Sequence, residues 1–366
     1  QRKAQQREVQ DAQQDFGEGA NSTDPFAHMR QREVQAAQKD AQALINAGNG
    51  QFRVSSAETI NFTSADLRQE SIILGRGGFG SVYKGKFLPR DIDIAIKKID
   101  IIQRSGGQND GRGRSDVIRE VVNGKPSHAN IVKLYGFVVQ GFTCRICMEV
   151  MHANLDEVKR VAHNDRIPGL SQKFKKKEIE SFLGCVTVAV VDALVFLRND
   201  ARVMQRDIKP SNIMINSNGS VKICDFGVSK KLVTGLTSKN ATESVGTLSY
   251  LAPERFDKEY GSKSEVWSLG ITLAEFANGR HPYSAHLSAA PTDFAVSEVI
   301  RDPKIAPEAV EGDFSADLRN FVEFWRVIDI PDRIFTIWEG FLNEMDWQMC
   351  VSHGQSVAIT NPRLSQ

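Results

Sequence analysis

Hydrophobic periodicity changes once along this 366-residue chain, near residue 153. From about residue 70 up to that point, apolar residues form short strand-like runs such as "GSVYKGKFL" and "IVKLYGFVVQ", interrupted by one helical segment, "SDVIREVV". Beyond it, helical patterns dominate, at 177–198, 263–278 and 315–328. This order predicts an α+β protein of two lobes, a small sheet-rich one and a larger helical one, with a cleft between them for ligands.

Composition separates the N-terminal part from the rest. It is rich in Gln and Ala, poor in large apolar residues, and contains the near-duplicates "QREVQDAQQD" and "QREVQAAQKD". We expect a disordered or weakly helical extension, because neither copy carries an apolar stripe wide enough to dock firmly. The predicted segments are the extension at 1–68, the sheet-rich lobe and hinge at 69–152, the helical lobe at 153–345, and a tail at 346–366.

Bulk properties narrow the range of partners. Lys plus Arg (46) nearly cancel Asp plus Glu (45), so we expect neither nucleic acid nor an anionic membrane as the main partner. The longest apolar run, "CVTVAVVDALVFL", is too short to span a bilayer and predicts a buried helix, without membrane insertion. Five cysteines, few and odd in number, favour reduced thiols and a location in the cytoplasm, or in the nucleus as well.

A glycine-rich stretch, "GRGGFGSV", places Gly75, Gly77 and Gly80 in G-x-G-x-x-G spacing. Glycines let the backbone turn sharply and bring its N–H groups close to phosphate oxygens. A plain hairpin turn explains the same letters, and dinucleotide-binding folds share them. The β-branched and aromatic run that follows, "SVYKGKFL", predicts a strand rather than a helix, which argues against a dinucleotide site.

Lys97, in "IAIKK", lies in an alternating apolar strand, where an inward-pointing ammonium is costly unless it is paired. Glu120, on the one predicted helix of the sheet-rich half, offers a partner. Such a pair would direct the ammonium at nucleotide phosphates. The alternative is a lysine at the sheet edge that extends its amine into water.

Further polar residues cluster in "RDIKPSN" and "KICDFGVS". Asp207 can accept a proton from a substrate hydroxyl, and Lys209 can offset charge on a moving phosphate. Asn212 and Asp225 can bind Mg2+ through their oxygens. Each residue alone has an ordinary explanation as a cap, a turn residue or a loop acid, but their order and spacing together predict a phosphoryl-transfer site.

As a set, these motifs resemble the signature of eukaryotic protein kinases. "GTLSYLAPE" supplies the Ala252-Pro253-Glu254 element, "EVWSLGITLAEFANGRHPY" resembles the central helix of the helical lobe, and Arg333 in "PDR" matches the arginine that pairs with that Glu in the family. The likeness covers roughly residues 70–340. It implies the bilobal kinase fold, ATP and Mg2+ as cofactors, and a protein hydroxyl as acceptor.

Within that family the chain is most similar to the MAP kinase kinases, on "KICDFGVS", "GTLSYLAPERF" and "VWSLGITLAEFANGRHPY". This similarity implies a MAP kinase as substrate, phosphorylated on Thr and Tyr, and an upstream activating kinase. "ICMEVMHANLDE" resembles the hinge of that group, with Met148 as gatekeeper and Glu149 to Met151 at the adenine edge.

The resemblance implies roles for a defined set of residues. Those expected to bind the nucleotide are Gly75, Arg76, Gly77, Gly78, Phe79, Gly80, Val82, Ala95, Lys97, Met148, Glu149, Met151 and Asn212. Those expected to bind metal are Asn212 and Asp225, and those expected to act in catalysis are Asp207, Lys209, Lys97 and Glu120.

"SKNAT" places Ser238 and Thr242 four residues apart, which resembles the S-x-x-x-T phosphorylation pair of the MAP kinase kinases. Phosphates at these positions could dock on Arg206 and order the loop. The alternative is an ordinary polar surface loop, since Ser and Thr are common in loops.

The chain departs from the kinase pattern at Gln205 and Glu265. The family has a histidine at the first position, which donates to a backbone carbonyl of the DFG turn. A Gln amide can donate similarly, so we expect a weakened support that spares the reacting groups. The family has Asp at the second position, which accepts N–H groups of the catalytic loop, and the extra methylene of Glu predicts a less rigidly held loop.

Three functions follow from these observations. The leading one is an active protein kinase, because Lys97, Asp207, Asn212 and Asp225 are all present. The second is a pseudokinase, a scaffold that binds nucleotide and partner kinases, and the two departures are its evidence. The third is an ordinary Ser/Thr kinase of a neighbouring group.

Overall fold

The architecture was obtained as a computed structural model. The structure describes residues 48–77, 80–100, 127–163, 176–201, 204–225, 247–257, 262–288, 291–312 and 314–324. Several residues singled out in the sequence lie outside these ranges, namely Gly78, Phe79, Glu120, Ser238, Thr242 and Arg333.

A seven-stranded antiparallel sheet forms the N-terminal part of the described chain. Its strands lie side by side in the order β2-β1-β6-β7-β5-β4-β3. Their bounds are β1 (Gly50–Arg53), β2 (Thr59–Phe62), β3 (Leu67–Gly77), β4 (Gly80–Phe87), β5 (Ile92–Asp100), β6 (Leu134–Gln140) and β7 (Thr143–Met148). A second, three-stranded sheet has the order β10-β9-β8 and consists of β8 (Ala153–Asn154), β9 (Ile213–Ile215) and β10 (Val221–Ile223).

The first two strands lie inside the segment that was predicted to be an extension, so the boundary at residue 68 is too late. β1 pairs with both β2 and β6, which joins this hairpin to the sheet. Phe52 of β1 is fully buried and stacks on Phe87, while Phe62 of β2 meets both rings edge-on. Residues 50–62 are ordered because these aromatic rings cover one face of the sheet.

Helices dominate after the hinge, which confirms the predicted α+β order. The described helices are α1 (Leu155–Ala162), α2 (Lys176–Phe196), α3 (Ser262–Asn278), α4 (Asp293–Arg301) and α5 (Ala316–Phe324). Short 3-10 turns occur at Ser64–Asp66, Leu88–Arg90, Pro210–Asn212 and Pro253–Asp257, and a π-helical turn at Leu197–Ala201 extends α2.

The run predicted as a buried helix lies in α2, at the centre of the helical core. Leu183, Val186, Val190 and Leu194, spaced for one helix face, are each at most 1% exposed. By length and composition alone the stretch Lys177–Ala201 would be apolar enough to cross a membrane. In this fold it packs against α3 and β10.

The cysteines depart in part from the sequence-based prediction. Cys144, Cys147 and Cys224 are free thiols, as expected. Burial raises the pKa of the Cys147 thiol to about 12, so that thiol is inert at neutral pH. Cys185 is disulfide-bonded, so the prediction of reduced thiols is wrong for that residue.

Candidate active site

The glycine-rich stretch lies where β3 ends and β4 begins, with Gly77 opposite Gly80. This is the strand–turn–strand context that the sequence predicted. Gly80 has a φ of +133°, and a Cβ atom there would lie 1.8 Å from the carbonyl oxygen of Lys98. Only glycine fits this position, because a side chain would collide with the backbone of β5.

The sheet brings the predicted nucleotide-facing side chains onto one face. Val82 lies opposite Lys97, and Ala95 lies opposite Met148. Residues directly opposite each other in antiparallel strands point to the same face, so these four side chains share it. Arg76 lies opposite Ser81, is exposed and points to the other face, so only its backbone can face a nucleotide.

Lys97 of β5 forms an ion pair with Asp225, which lies two residues after the end of β10. The Lys97 side chain is 8% exposed, so the ammonium points inward rather than into water. Burial alone would raise the pKa of Asp225, but the charge of Lys97 and its hydrogen bond outweigh it and lower the pKa below 3.8. Asp225 therefore carries its negative charge at neutral pH.

The loop that precedes β9 assembles the other predicted catalytic residues. Asp207 is 7% exposed, and its Oδ2 lies 2.9 Å from Lys209 Nζ. Asn212 Nδ2 donates to the same oxygen at 3.0 Å and to the Asp207 carbonyl at 2.8 Å. No described residue bonds Asp207 Oδ1, which leaves that oxygen for an acceptor hydroxyl.

Gln205 is fully buried beneath the turn that carries Asp225. Its Nε2 donates to the carbonyl of Cys224 at 2.6 Å and to that of Asp225 at 3.1 Å. The predicted amide-to-carbonyl bond is thus present, and it supports a residue held at a φ of +60°. The amide oxygen of Gln205 has no partner among the described residues.

Glu265 lies in the first turn of α3 and is 4% exposed. Its Oε1 accepts the backbone N–H of Arg206 at 3.1 Å, where Arg206 has a φ of +66°. Burial raises the pKa of Glu265, while bonds from the N–H groups of Arg206 and Gln205 act against that rise. The side chain of Glu265, although longer than that of the Asp found here in the family, therefore still reaches the catalytic loop.

At the hinge, the Glu149 side chain turns away from the adenine edge. Its Oε1 accepts the Lys133 N–H at 2.6 Å and lies 2.7 Å from Lys222 Nζ on β10. The Glu149 N–H donates to the Lys133 carbonyl at 3.0 Å, so its own carbonyl is the group left for a nucleotide. Met148 ends β7, and Met151 is 7% exposed.

Two residues that the motif-based argument did not single out also belong to the site. Thr247 Oγ1 accepts from Lys209 Nζ at 2.9 Å, which joins the 247–251 turn to the catalytic loop. Lys222 ties β10 to the hinge through Glu149. Thr247 stands within the quoted "GTLSYLAPE" motif, so it could have been found there, whereas Lys222 is marked only by its place in a buried strand.

Comparison with known proteins supports the resemblance to protein kinases, as this geometry does. The protein kinase domain family matches residues 68–335. MAP kinase kinase mkk-4 of Caenorhabditis elegans is 36% identical over 270 residues, which make up 71% of this chain and 68% of that protein. The dual specificity mitogen-activated protein kinase kinase sek-1 of the same organism is 34% identical over 68% of this chain and 70% of its own length.

A third relative is much longer than the region it shares with this chain. The dual specificity mitogen-activated protein kinase kinase hemipterous of Drosophila melanogaster is 37% identical over 254 residues, or 68% of this chain but 20% of that protein. The alignments with these relatives thus cover similar shares of this chain and very different shares of the relatives. The predicted family is confirmed: this chain belongs to the protein kinases and is of the MAP kinase kinase type.

Proposed function

We propose that this chain transfers the γ-phosphoryl group of ATP to Thr and Tyr of a MAP kinase activation loop. The names of its relatives, which describe dual-specificity MAP kinase kinases, support this acceptor class. The observation that carries the reaction is the bridge made by Lys209, whose Nζ contacts both Asp207 and Thr247. It joins the proton-accepting carboxylate to the turn that would face a protein acceptor.

In this proposal, the catalytic loop acts on the acceptor hydroxyl. Asp207 orients the hydroxyl through Oδ1 and accepts its proton as the new bond forms. Lys209 offsets the negative charge that develops on the phosphoryl oxygens. Lys97, buried in β5, holds phosphate oxygens of the nucleotide beneath the β3–β4 turn.

The residues present fit a magnesium ion. Asn212 uses its amide nitrogen within the loop, which leaves its amide oxygen for a cation. The lowered pKa of Asp225 keeps that carboxylate charged. Carboxylate and amide oxygens are the ligands that Mg2+ prefers, and the bound ion would neutralise charge on the phosphates.

Activation by an upstream kinase at Ser238 and Thr242 is the regulatory part of the proposal. Both positions lie outside the described residues, so the sequence pattern alone supports it. Two phosphates would each add roughly −1.5 to −2 charge, and we infer that they would pair with the exposed side chain of Arg206 in the catalytic loop.

The test is a transfer assay with the Ser238→Asp, Thr242→Asp double variant. Mg-ATP would be supplied together with a panel of catalytically inactive MAP kinases, and phosphothreonine and phosphotyrosine would be measured separately. We expect both modifications on at least one member of the panel, and their loss when Asp207→Asn is added.

Two results would contradict the proposal in different ways. Phosphothreonine or phosphoserine without phosphotyrosine would favour an ordinary Ser/Thr kinase. ATP binding without transfer to any acceptor would favour a pseudokinase scaffold. The hydrogen bonds made by Gln205 and Glu265 argue against the scaffold, because both substituted residues support the loops that carry the catalytic groups.

A further inference from the structure

Five charged side chains are buried among the residues that the structure describes, and two of them lie outside the catalytic site. Lys97, Asp207 and Glu265 belong to that site. Lys159 of α1, 9% exposed, and Glu275 of α3, 5% exposed, do not. Burying a charge costs desolvation free energy, so the presence of the Lys159–Glu275 pair in the core calls for an explanation.

The pair is fully bonded. Lys159 Nζ donates to Glu275 Oε1 and lies 3.0 Å from Asp156 Oδ1 one turn earlier on α1. The other oxygen of Glu275, Oε2, accepts the Tyr250 hydroxyl at 2.5 Å. Burial and the neighbouring Glu275 raise the pKa of Tyr250 well above its usual value, so the hydroxyl remains a donor at neutral pH.

Tyr250 is also held at its backbone. Its carbonyl accepts from Ser268 Oγ at 2.8 Å. Ser268 and Glu275 are seven residues apart on α3, two helical turns, and therefore lie on one face of that helix. Both ends of Tyr250 are thus attached to a helix that is buried along nearly its whole length.

Tyr250 belongs to the turn that contacts the catalytic loop. Within 247–251 the N–H of Tyr250 donates to the Thr247 carbonyl at 3.3 Å, and that of Leu251 donates to the Leu248 carbonyl at 3.0 Å. Thr247 accepts from Lys209, which also pairs with the Asp207 carboxylate. A continuous series of contacts therefore connects α1 to the catalytic carboxylate.

We propose that Lys159 is a positioning residue for the protein acceptor. Through Glu275 and Tyr250 it holds the 247–251 turn at the position from which an acceptor hydroxyl reaches Asp207. Without the ammonium, Glu275 would be left with an uncompensated buried charge, and it would either draw in water or take up a proton. In either case Tyr250 loses its fixed partner. The proposal depends on protein kinase activity and not on the identity of the acceptor.

The test compares Lys159→Met with Arg160→Met. Arg160 is a matched control, because its Nε lies 3.3 Å from the same Asp156 carboxylate but its side chain is 65% exposed. Two rates are measured for each protein: phosphate transfer to a protein acceptor, and ATP hydrolysis in the absence of an acceptor. The acceptor is one that the wild type phosphorylates, either a MAP kinase or a generic basic protein.

For Lys159→Met we expect kcat for transfer to fall roughly tenfold or more, since small displacements of an acceptor are costly to the rate. ATP hydrolysis, whose acceptor is water, and KM for ATP should change by less than about twofold. Arg160→Met should match the wild type in both assays. Lys159→Arg, which keeps the charge, should recover most of the transfer rate.

Tyr250→Phe removes only one hydroxyl, so it tests the proposal even if Lys159→Met fails to fold. It should reproduce the selective loss of transfer, and Lys159→Met with Glu275→Gln should be less impaired than Lys159→Met alone, because no buried charge is left unpaired. Wild-type transfer rates in Lys159→Met and Tyr250→Phe, or a parallel fall of transfer and hydrolysis, would overturn the proposal. If the MAP kinase assignment itself fails, the wild type will already show it by modifying only the generic acceptor.

Discussion

Gln205 and Glu265 differ from the His and Asp of the family pattern, but each still makes a hydrogen bond of the kind expected at its position. The amide of Gln205 reaches two carbonyls of the turn that carries Asp225. The carboxylate of Glu265 reaches the N–H of Arg206. Both supported residues, Arg206 and Asp225, have a positive φ, which neighbouring structure must hold in place.

At the residue scale, the first prediction concerns the donor at position 205. Gln205→Leu removes both hydrogen bonds and leaves two buried carbonyls without that partner, so kcat should fall roughly tenfold or more. Gln205→His restores one ring donor and should change kcat by less than about fivefold, or about 1 kcal/mol. Steady-state kinetics of the two variants would check this, and a large gain for His would show that Gln is a damaged support.

The second prediction uses the pKa of Glu265. Burial raises it above the ordinary value of 4.5, so the folded state favours the neutral acid, and wild-type stability falls as pH rises from there through the folded pKa. Glu265→Gln keeps an oxygen for the Arg206 N–H but cannot ionise. The wild-type minus variant difference in unfolding free energy should therefore fall as the pH rises above about 4.5 in urea titrations. A wild-type minus variant difference that grows with pH would contradict this prediction.

At the scale of elements, the hairpin of β1 and β2 extends the sheet beyond what the sequence suggested. Its aromatic rings close one face of the sheet, while the opposite face carries Lys97 and Ala95. Lys133 Nζ donates to the Val54 carbonyl in the turn between the two strands at 2.8 Å. The hairpin is therefore attached to the sheet by packing as well as by hydrogen bonds.

The third prediction tests that attachment. Phe52→Ala should destabilise the fold by about 3–5 kcal/mol, since Phe52 is fully buried between Phe87 and Tyr135. Leu88→Ala is a suitable control, because Leu88 is 46% exposed and should cost less than about 1 kcal/mol. Chemical denaturation of both variants would measure the difference. Equal stabilities would mean that the hairpin adds little to the sheet.

At the scale of the whole molecule, an ion pair between Lys97 and Asp225 links the two parts of the kinase. Lys97 lies in the large sheet, and Asp225 follows the strand that packs on the helical core. Segment 130–132 reinforces the junction, because Asn130 and Val132 exchange backbone hydrogen bonds of 2.9 and 3.0 Å with Ile223. Groups that we propose to act together in catalysis thus come from both lobes.

The fourth prediction concerns ligand binding by this assembled site. Mg-ATP at a hundredfold excess over its Kd should stabilise the wild type by about 2.7 kcal/mol, because the unfolded chain has no site. Replacing Mg2+ with EDTA should reduce the rise in Tm. Asp225→Asn should abolish the dependence on Mg2+, whereas Asp207→Asn should keep it. Calorimetry with and without metal provides the measurement, and an unchanged Mg2+ dependence in Asp225→Asn would contradict the assigned ligand.

Much of the site could be anticipated because its residues stand in short motifs. The spacing of Asp207, Lys209 and Asn212 within one loop determines that they meet, and the structure places them in mutual contact. For Lys97 the sequence left two possibilities open, an inward paired ammonium or a lysine at the sheet edge, and the structure shows the buried one. The outward side chain of Arg76 and the turned carboxylate of Glu149 could not be read in this way, since strand register and distant partners decide them.

By itself, the sequence determined the order of strands and helices from about residue 70, the strand context of the glycine-rich stretch and the local set of candidate catalytic residues. Each of these depends on residues that are close along the chain. The tertiary structure alone decided that residues 50–62 join the sheet, that Lys97 meets Asp225, and that Lys159 of α1 reaches Glu275 of α3. These contacts join residues far apart in the chain, and only burial in a common core specifies which distant charges and rings become partners.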